Sequence, residues 1–183
     1  MPVHPNFNPD YLYFVTTTAE QHVHIFKRES IIRIILDSLH FLRTNKRIEL
    51  FAFVIMPNHI HFISRFGKDH MLSDVMRDFK RHTARQIIRQ LMTEENKEEL
   101  GLLQNLNQDN RQEYKVWEDG YDARDVFSQE FLSQKMEYIH YNPCRPKWNL
   151  ANTPEEYPWS SARFYVLDKP AVIPVDDVRD LFI

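Results

Sequence analysis

The run IELFAFVIMPNHIHFISR, from Ile48 to Arg65, leaves a chain little freedom in how it folds. Ile48 to Ile55 is apolar and rich in strand formers, Pro57-Asn58 is turn chemistry, and His59 to Arg65 resumes an extended pattern. Strands this close in sequence pair antiparallel as a hairpin, because a parallel pair needs a crossover of a dozen or more residues. The hairpin also decides where its polar residues point. Side chains alternate across a strand, so His59 and His61 share one face and Ile60 and Phe62 the other. Two imidazoles on one face of a rigid strand can grip a metal ion. The plainer reading is a pair of exposed or hydrogen-bonded histidines on a half-buried strand.

The elements around the hairpin extend it into a sheet with helices. Leu12 to Thr17 is β-branched and aromatic and reads as a first strand. Ser30 to about Thr44 places Ile31, Ile34, Ile35, Leu39 and Leu42 on one apolar stripe, a helix with Ser30 as its expected N-cap. A second helix is expected from Ser73 to about Met92. Beyond it, Tyr114 to Trp117 and Asp125 to Phe127 are the remaining strand material, either side of an EDGYDA turn. Strand, helix, strand, strand, helix, strand predicts an α/β (α+β) fold, a ferredoxin-like antiparallel sheet with helices packed on it. At 183 residues, 43% hydrophobic, residues 1–183 make one domain with a core of ordinary size. Thr93 to Glu113 is polar and poorly periodic, which predicts an exposed insertion with one short helix over Glu94 to Leu103 and otherwise disorder.

The second helix carries Arg77, Arg81, Arg85 and Arg89 at successive i+4 steps, with Lys80 beside them. Such a line is either a solvated face balanced by Asp74 and Asp78 or a surface for phosphates. The net charge of −3 does not favour a general nucleic-acid binder, although a binding face needs only its own basic patch.

A further helix begins at Ser128, whose side chain suits an N-cap, with Phe131, Met136 and Ile139 expected in the core. Tyr138 and Asn142 are four residues apart, so a phenol and an amide oxygen can approach a common point. Pro143 disfavours the α conformation at Asn142, which leaves a C-terminal cap as the other role for that residue. His140 points away from Tyr138 and reads as structural. Tyr157, Pro158 and Trp159 read as packing residues before a tail that wraps the domain.

His-Ile-His in MPNHIHFI followed by Tyr-Ile-His-Tyr-Asn-Pro in MEYIHYNP resembles the single-tyrosine HUH transposases, the insertion-sequence 200/605-like group, and within them the REP-associated tyrosine transposases. The resemblance runs from about Tyr13 to Tyr165 and includes FKRHTAR, VWEDGYDARDVFS and PEEYPWSSARFY. Before the first strand this chain has PNFNPD, where many REP-associated members carry a glycine and paired arginines. The resemblance implies an HUH endonuclease fold and a metal-dependent enzyme that cuts and rejoins single-stranded DNA near a hairpin. It implies Tyr138 as nucleophile, joined to the 5′ phosphate while a 3′ hydroxyl is released. It further implies His59 and His61 as ligands of Mg²⁺ or Mn²⁺, with Asn142 as the third. Beside such a DNA-cleaving site, the stripe of Arg77, Lys80, Arg81, Arg85 and Arg89 is a candidate for DNA contact through phosphates. A homodimer is a further expectation. Two other classes stay open: a metal-dependent phosphodiesterase that uses water, and a domesticated hairpin-binding protein that no longer cuts.

Other functions find no support. Three glycines and no Walker or dinucleotide motif imply no nucleotide cofactor. One cysteine, Cys144, allows neither an intrachain disulfide nor a C-x-x-C metal site. IIRIIL is too short to span a membrane and the first ten residues lack a signal-peptide layout, so a cytoplasmic address is expected.

Overall fold

The computed structural model describes residues 7–106 and 112–182. Four strands form one sheet in the order β2-β3-β1-β4, every neighbouring pair antiparallel: β1 is Leu12–Thr18, β2 Ile48–Ile55, β3 His59–Phe66 and β4 Asp122–Val126. This is the ferredoxin-like arrangement expected from the element order. The Pro57-Asn58 turn closes the hairpin with Met56 N–H donating to the His59 carbonyl at 2.8 Å.

The two faces of the sheet bury different cores. Helices α1 (Glu29–Thr44) and α2 (Leu72–Thr93) cover the face that carries Tyr13, Val15, Ile60 and Phe62. Helix α4 (Gln129–Tyr141) covers the other, against Phe14, Val54 and Ile63. A bulge between Leu50 and Ala52 shifts the alternation in β2, so that Phe51 and Ala52 both turn to the α4 side.

Boundaries differ from expectation where side chains found other partners. Arg28, whose side chain makes no capping bond and pairs instead with Glu94 and Glu99, occupies the N-cap of α1, while the hydroxyl of Ser30 is bonded to Glu94. Helix α3 runs Lys97–Leu106, later than expected, because Glu95 takes a left-handed φ of 52° after α2 and Asn96 Oδ1 accepts from Glu99 N–H as a cap. Leu103 is fully buried in the α1/α2 core, so this part of the insertion is anchored and not merely exposed. Residues 107–111, part of the stretch expected to be disordered, lie outside the described residues. Tyr114 to Trp117 does not form a strand; only Trp117 makes a bridge, to Ala19.

Ser128 caps α4 as expected, accepting from Phe131 N–H at 3.1 Å. Its buried stripe is Leu132, Met136 and Ile139 at i, i+4 and i+7, which turns Phe131 out of the core by about 100°. The chain after α4 then runs along β2, where the carbonyl of Trp159 accepts from Ile55 N–H and Ser161 N–H donates to the Phe53 carbonyl. Asp176 closes the far end of the same edge by exchanging bonds with the backbone of Leu50. A short helix, α5 (Ala162–Leu167), lies between these two contacts.

Candidate active site

Strand β3 presents His59 and His61 on the α4 side of the sheet, with ring centroids 4.6 Å apart. Tyr138 of α4 meets His61 edge-on at 5.2 Å and Phe14 at 5.9 Å. The two sequence motifs, far apart in the chain, are therefore in contact.

Hydrogen bonds orient both imidazoles. Asn58 Nδ2 donates to the His22 carbonyl at 3.0 Å, which turns Oδ1 toward His59 Nδ1 at 2.7 Å. An amide oxygen only accepts, so Nδ1 of His59 carries the proton and Nε2 keeps a free lone pair. The carbonyl that starts this relay belongs to a loop with two consecutive left-handed residues, Gln21 (φ 46°) and His22 (φ 58°). For residues other than glycine such a conformation costs on the order of 1 kcal/mol each. His61 Nδ1 meets Thr16 Oγ1 at 2.8 Å, and its buried Nε2 has no hydrogen-bond partner among the described residues.

Burial, with Lys147 adding to it, lowers the His59 pKa to about 4; burial, then His59, Lys135 and Arg145, lowers that of His61 to about 2. Both rings are neutral at pH 7, the form in which imidazole binds a metal. The residues present fit a cation, because it would meet the orphaned Nε2 of His61 and the free Nε2 of His59. No three His, Cys, Asp or Glu side chains gather into a metal site among the described residues, so any further ligands would come from an amide, a substrate or water.

Asn142 is the amide that the sequence offers there. It is buried, and against the expectation from Pro143 it stays right-handed (φ −54°, ψ −46°). The chain passes there into a 3-10 turn, Asn142–Cys144, where proline in the first turn lacks only an N–H that would have no partner. Tyr138 and Asn142 keep their one-turn spacing. Tyr141, by contrast, is 52% exposed, and His140 is buried against Ser161 Oγ at 2.9 Å.

Basic side chains that the sequence did not single out surround the tyrosine. The guanidinium of Arg145 lies 4.3 Å from the centroid of the Tyr138 ring and the ammonium of Lys135 5.6 Å. Lys147 lies over Trp148, whose ring stands 5.6 Å from both His59 and His24. The signal for them was CRPKW after the Asn-Pro, basic residues interleaved with an aromatic, together with Lys135 one turn before Tyr138.

The arginine stripe is elsewhere. Helix α2 lies on the opposite face of the sheet from His59, His61 and Tyr138. Arg77 is held by Asp74 and Asp78. Lys80 is turned inward, its ammonium donating to the carbonyls of Glu118 and Gly120, and is not part of an exposed basic surface. Arg81, Arg85 and Arg89 line a groove of about 740 Å³ between α1 and α2.

The family model described as "Transposase IS200 like" matches residues 10–142, well over half of the chain, with His59, His61, Tyr138 and Asn142 inside the match. The chain belongs to that family. Membership makes it a DNA-processing protein of the transposase class, as the motifs had suggested. Among solved structures it is similar to a REP-associated tyrosine transposase bound to a REP hairpin, with a TM-score of 0.61 at 13% identity over 97% of this chain and 93% of that one. That likeness supports the fold. A putative transposase from Deinococcus radiodurans is similar over 76% of this chain and 95% of that one, at 17% identity and a TM-score of 0.48. No curated protein matches by sequence. No helix among the described residues is long and apolar enough to cross a membrane.

Proposed function

We propose that this transposase-family protein is a metal-dependent nuclease and strand transferase that cuts single-stranded DNA beside a hairpin through Tyr138. The observation that carries the reading is the contact of Tyr138 with His61, ring centroids 5.2 Å apart, where His61 in turn stands beside His59. In the reaction, Oη of Tyr138 bonds to phosphorus while the bond from phosphorus to the 3′ oxygen breaks. The phenol loses its proton, and the departing oxygen gains one to leave as a 3′ hydroxyl. The 5′-phosphotyrosine ester keeps the energy of the broken bond for later rejoining.

His59 and His61 would hold the divalent cation through Nε2, with Asn142 as third ligand. When bound, Mg²⁺ or Mn²⁺ supplies charge neutralisation on the nonbridging phosphate oxygens. The chain's own groups do the rest. Asn58 and Thr16 fix the two rings, Arg145 and Lys135 bring positive charge to the phosphate, and α4 sets the tyrosine at the height of His61. Hairpin DNA as the partner is supported by the structural neighbour, a REP-associated tyrosine transposase that is itself bound to a REP hairpin.

The test is a denaturing gel after incubation with labelled single-stranded hairpin DNA and Mn²⁺. Wild type and Tyr141→Phe should each give a protein-DNA band that survives denaturation, and Tyr138→Phe should give none while melting near the wild-type temperature. A band in Tyr138→Phe would move the nucleophile to another residue. Cleavage by wild type without any band would assign the attack to water.

A further inference from the structure

Phe127 is 80% exposed, which makes it the most exposed large hydrophobic side chain among the described residues. Its ring does not stand alone on the surface but is stacked on Phe131, with centroids 5.1 Å apart and planes inclined by 13°. Phe131 begins a stripe along one side of α4. Positions 131, 135, 138 and 142 follow steps of four, three and four residues, and so Phe131, Lys135, Tyr138 and Asn142 lie in line. Lys135 joins the members physically. Its ammonium is 5.0 Å from the Phe131 ring, 4.8 Å from Phe14 and 5.6 Å from Tyr138.

An apolar pair left open to water needs a partner, and the chemistry around this one specifies it. The cation beside the pair selects an anionic ligand, and flat parallel rings select one with flat faces. Polynucleotide satisfies both, and it does so only as a single strand, because the faces of paired bases are already stacked on one another. From Phe131 to Tyr138 the helix rises about 10 Å, two turns, so a strand whose phosphate lies at Tyr138 can extend its neighbouring bases to the pair.

We propose that Phe127 and Phe131 form a base-stacking platform that holds a nucleotide of the single strand two helical turns from the nucleophile, with Lys135 contacting the backbone between them. The inference rests on the reading of Tyr138 as a DNA nucleophile, and names a substrate contact of that same site. It also assigns a role to Phe131 other than the core packing its sequence position suggested.

The experiment uses the full chain without metal, so that binding is read apart from cleavage. The probe is a fluorescent oligothymidylate of about twelve nucleotides, within the length that a single-strand groove covers. Phe127→Ala should weaken its binding by roughly five- to 150-fold, the range for loss of one stacked base. Phe127→Trp should restore the affinity, and its indole emission should be quenched as the oligonucleotide is added. A duplex of the same length should bind the wild type and Phe127→Ala alike. Unchanged affinity of Phe127→Ala for the single strand would overturn the proposal, as would an equal loss on the duplex. Self-association of the wild type that Phe127→Ala abolishes, with single-strand affinity unchanged, would instead assign the pair to contact with a second copy of the chain.

The covalent-band assay separates this inference from the one beneath it. A wild type that forms no band while Phe127→Ala loses single-strand affinity leaves the platform standing and removes the nucleophile. A wild type that forms the band while Phe127→Ala binds normally does the reverse.

Discussion

Asn58 shows how much of a site rests on a residue that carries no chemistry itself. Its amide spans two elements, accepting from His59 Nδ1 and donating to the His22 carbonyl of a loop with two left-handed residues. Removing the side chain frees His59 to rotate and to take the other tautomer, whose proton sits on the nitrogen needed for a metal. Asn58→Ala should therefore weaken Mn²⁺ binding by about 10- to 100-fold in calorimetry, as loss of an outer partner of a ligating histidine does. In the metal-free protein, long-range proton-nitrogen spectra should show the His59 tautomer shifting from Nδ1–H toward Nε2–H. Asn142→Ala should lower the same affinity with little change in melting temperature; equal destabilisation with and without metal would make Asn142 a helix cap only. The same-face placement of His59 and His61 was legible from alternation alone. Asn58 could be read only as a turn residue, because its partner is the carbonyl of a residue 36 positions earlier and a backbone acceptor leaves no mark in sequence.

Among the elements, α2 and α4 were legible to different depths. Both helices announced themselves by periodicity, but periodicity does not say which face of a sheet a helix will cover. The arginine stripe was therefore expected beside the histidines, and it lies on the far side of the sheet. Within it the partners sort the residues. Arg77 is neutralised by Asp74 and Asp78 and Lys80 is turned to backbone carbonyls, whereas Arg81, Arg85 and Arg89 line an open groove. If the groove takes phosphates, Arg81→Glu with Arg85→Glu should weaken binding to unrelated DNA sequences alike and flatten its salt dependence. Arg77→Glu should change both far less. The position at which DNA is cut should stay the same in both variants, since Tyr138 is on the other face. Unchanged affinity and salt slope in the double variant would leave the stripe as solvated charge.

Over the whole molecule, the chain after α4 closes an edge that would otherwise stand open. An unpaired edge strand is a template for aggregation, and β2 is the most apolar strand of this sheet. The tail covers it with backbone bonds from Trp159 and Ser161, with the Tyr165 hydroxyl donating to the Phe51 carbonyl at 2.7 Å, and with Asp176 at the end. Tyr157, Pro158 and Trp159 were legible as packing residues before a tail that wraps the domain, but nothing in the sequence singled out Asp176. Its role is set by Arg43 of α1, whose guanidinium bonds both carboxylate oxygens at 2.7 and 3.0 Å, and by Leu50 N–H, which donates to Oδ2 at 2.8 Å. The tail also reaches the active site, because Ser161 Oγ accepts from Phe53 N–H and holds His140 on α4, two residues from Tyr138. Asp176→Ala takes the partner from a backbone donor and from a half-buried guanidinium, and should lower stability by about 1–3 kcal/mol in urea unfolding. Asp176→Asn keeps an acceptor for Leu50 and should lose less. Well below the unfolding midpoint, Asp176→Ala should still form the covalent band, because the His140–Ser161 contact lies at the other end of the covered edge. Ser161→Ala cuts that contact itself, so it should reduce both stability and the rate of band formation. A Ser161→Ala protein that loses stability but forms the band at the wild-type rate would show that α4 is held in place by its apolar stripe alone.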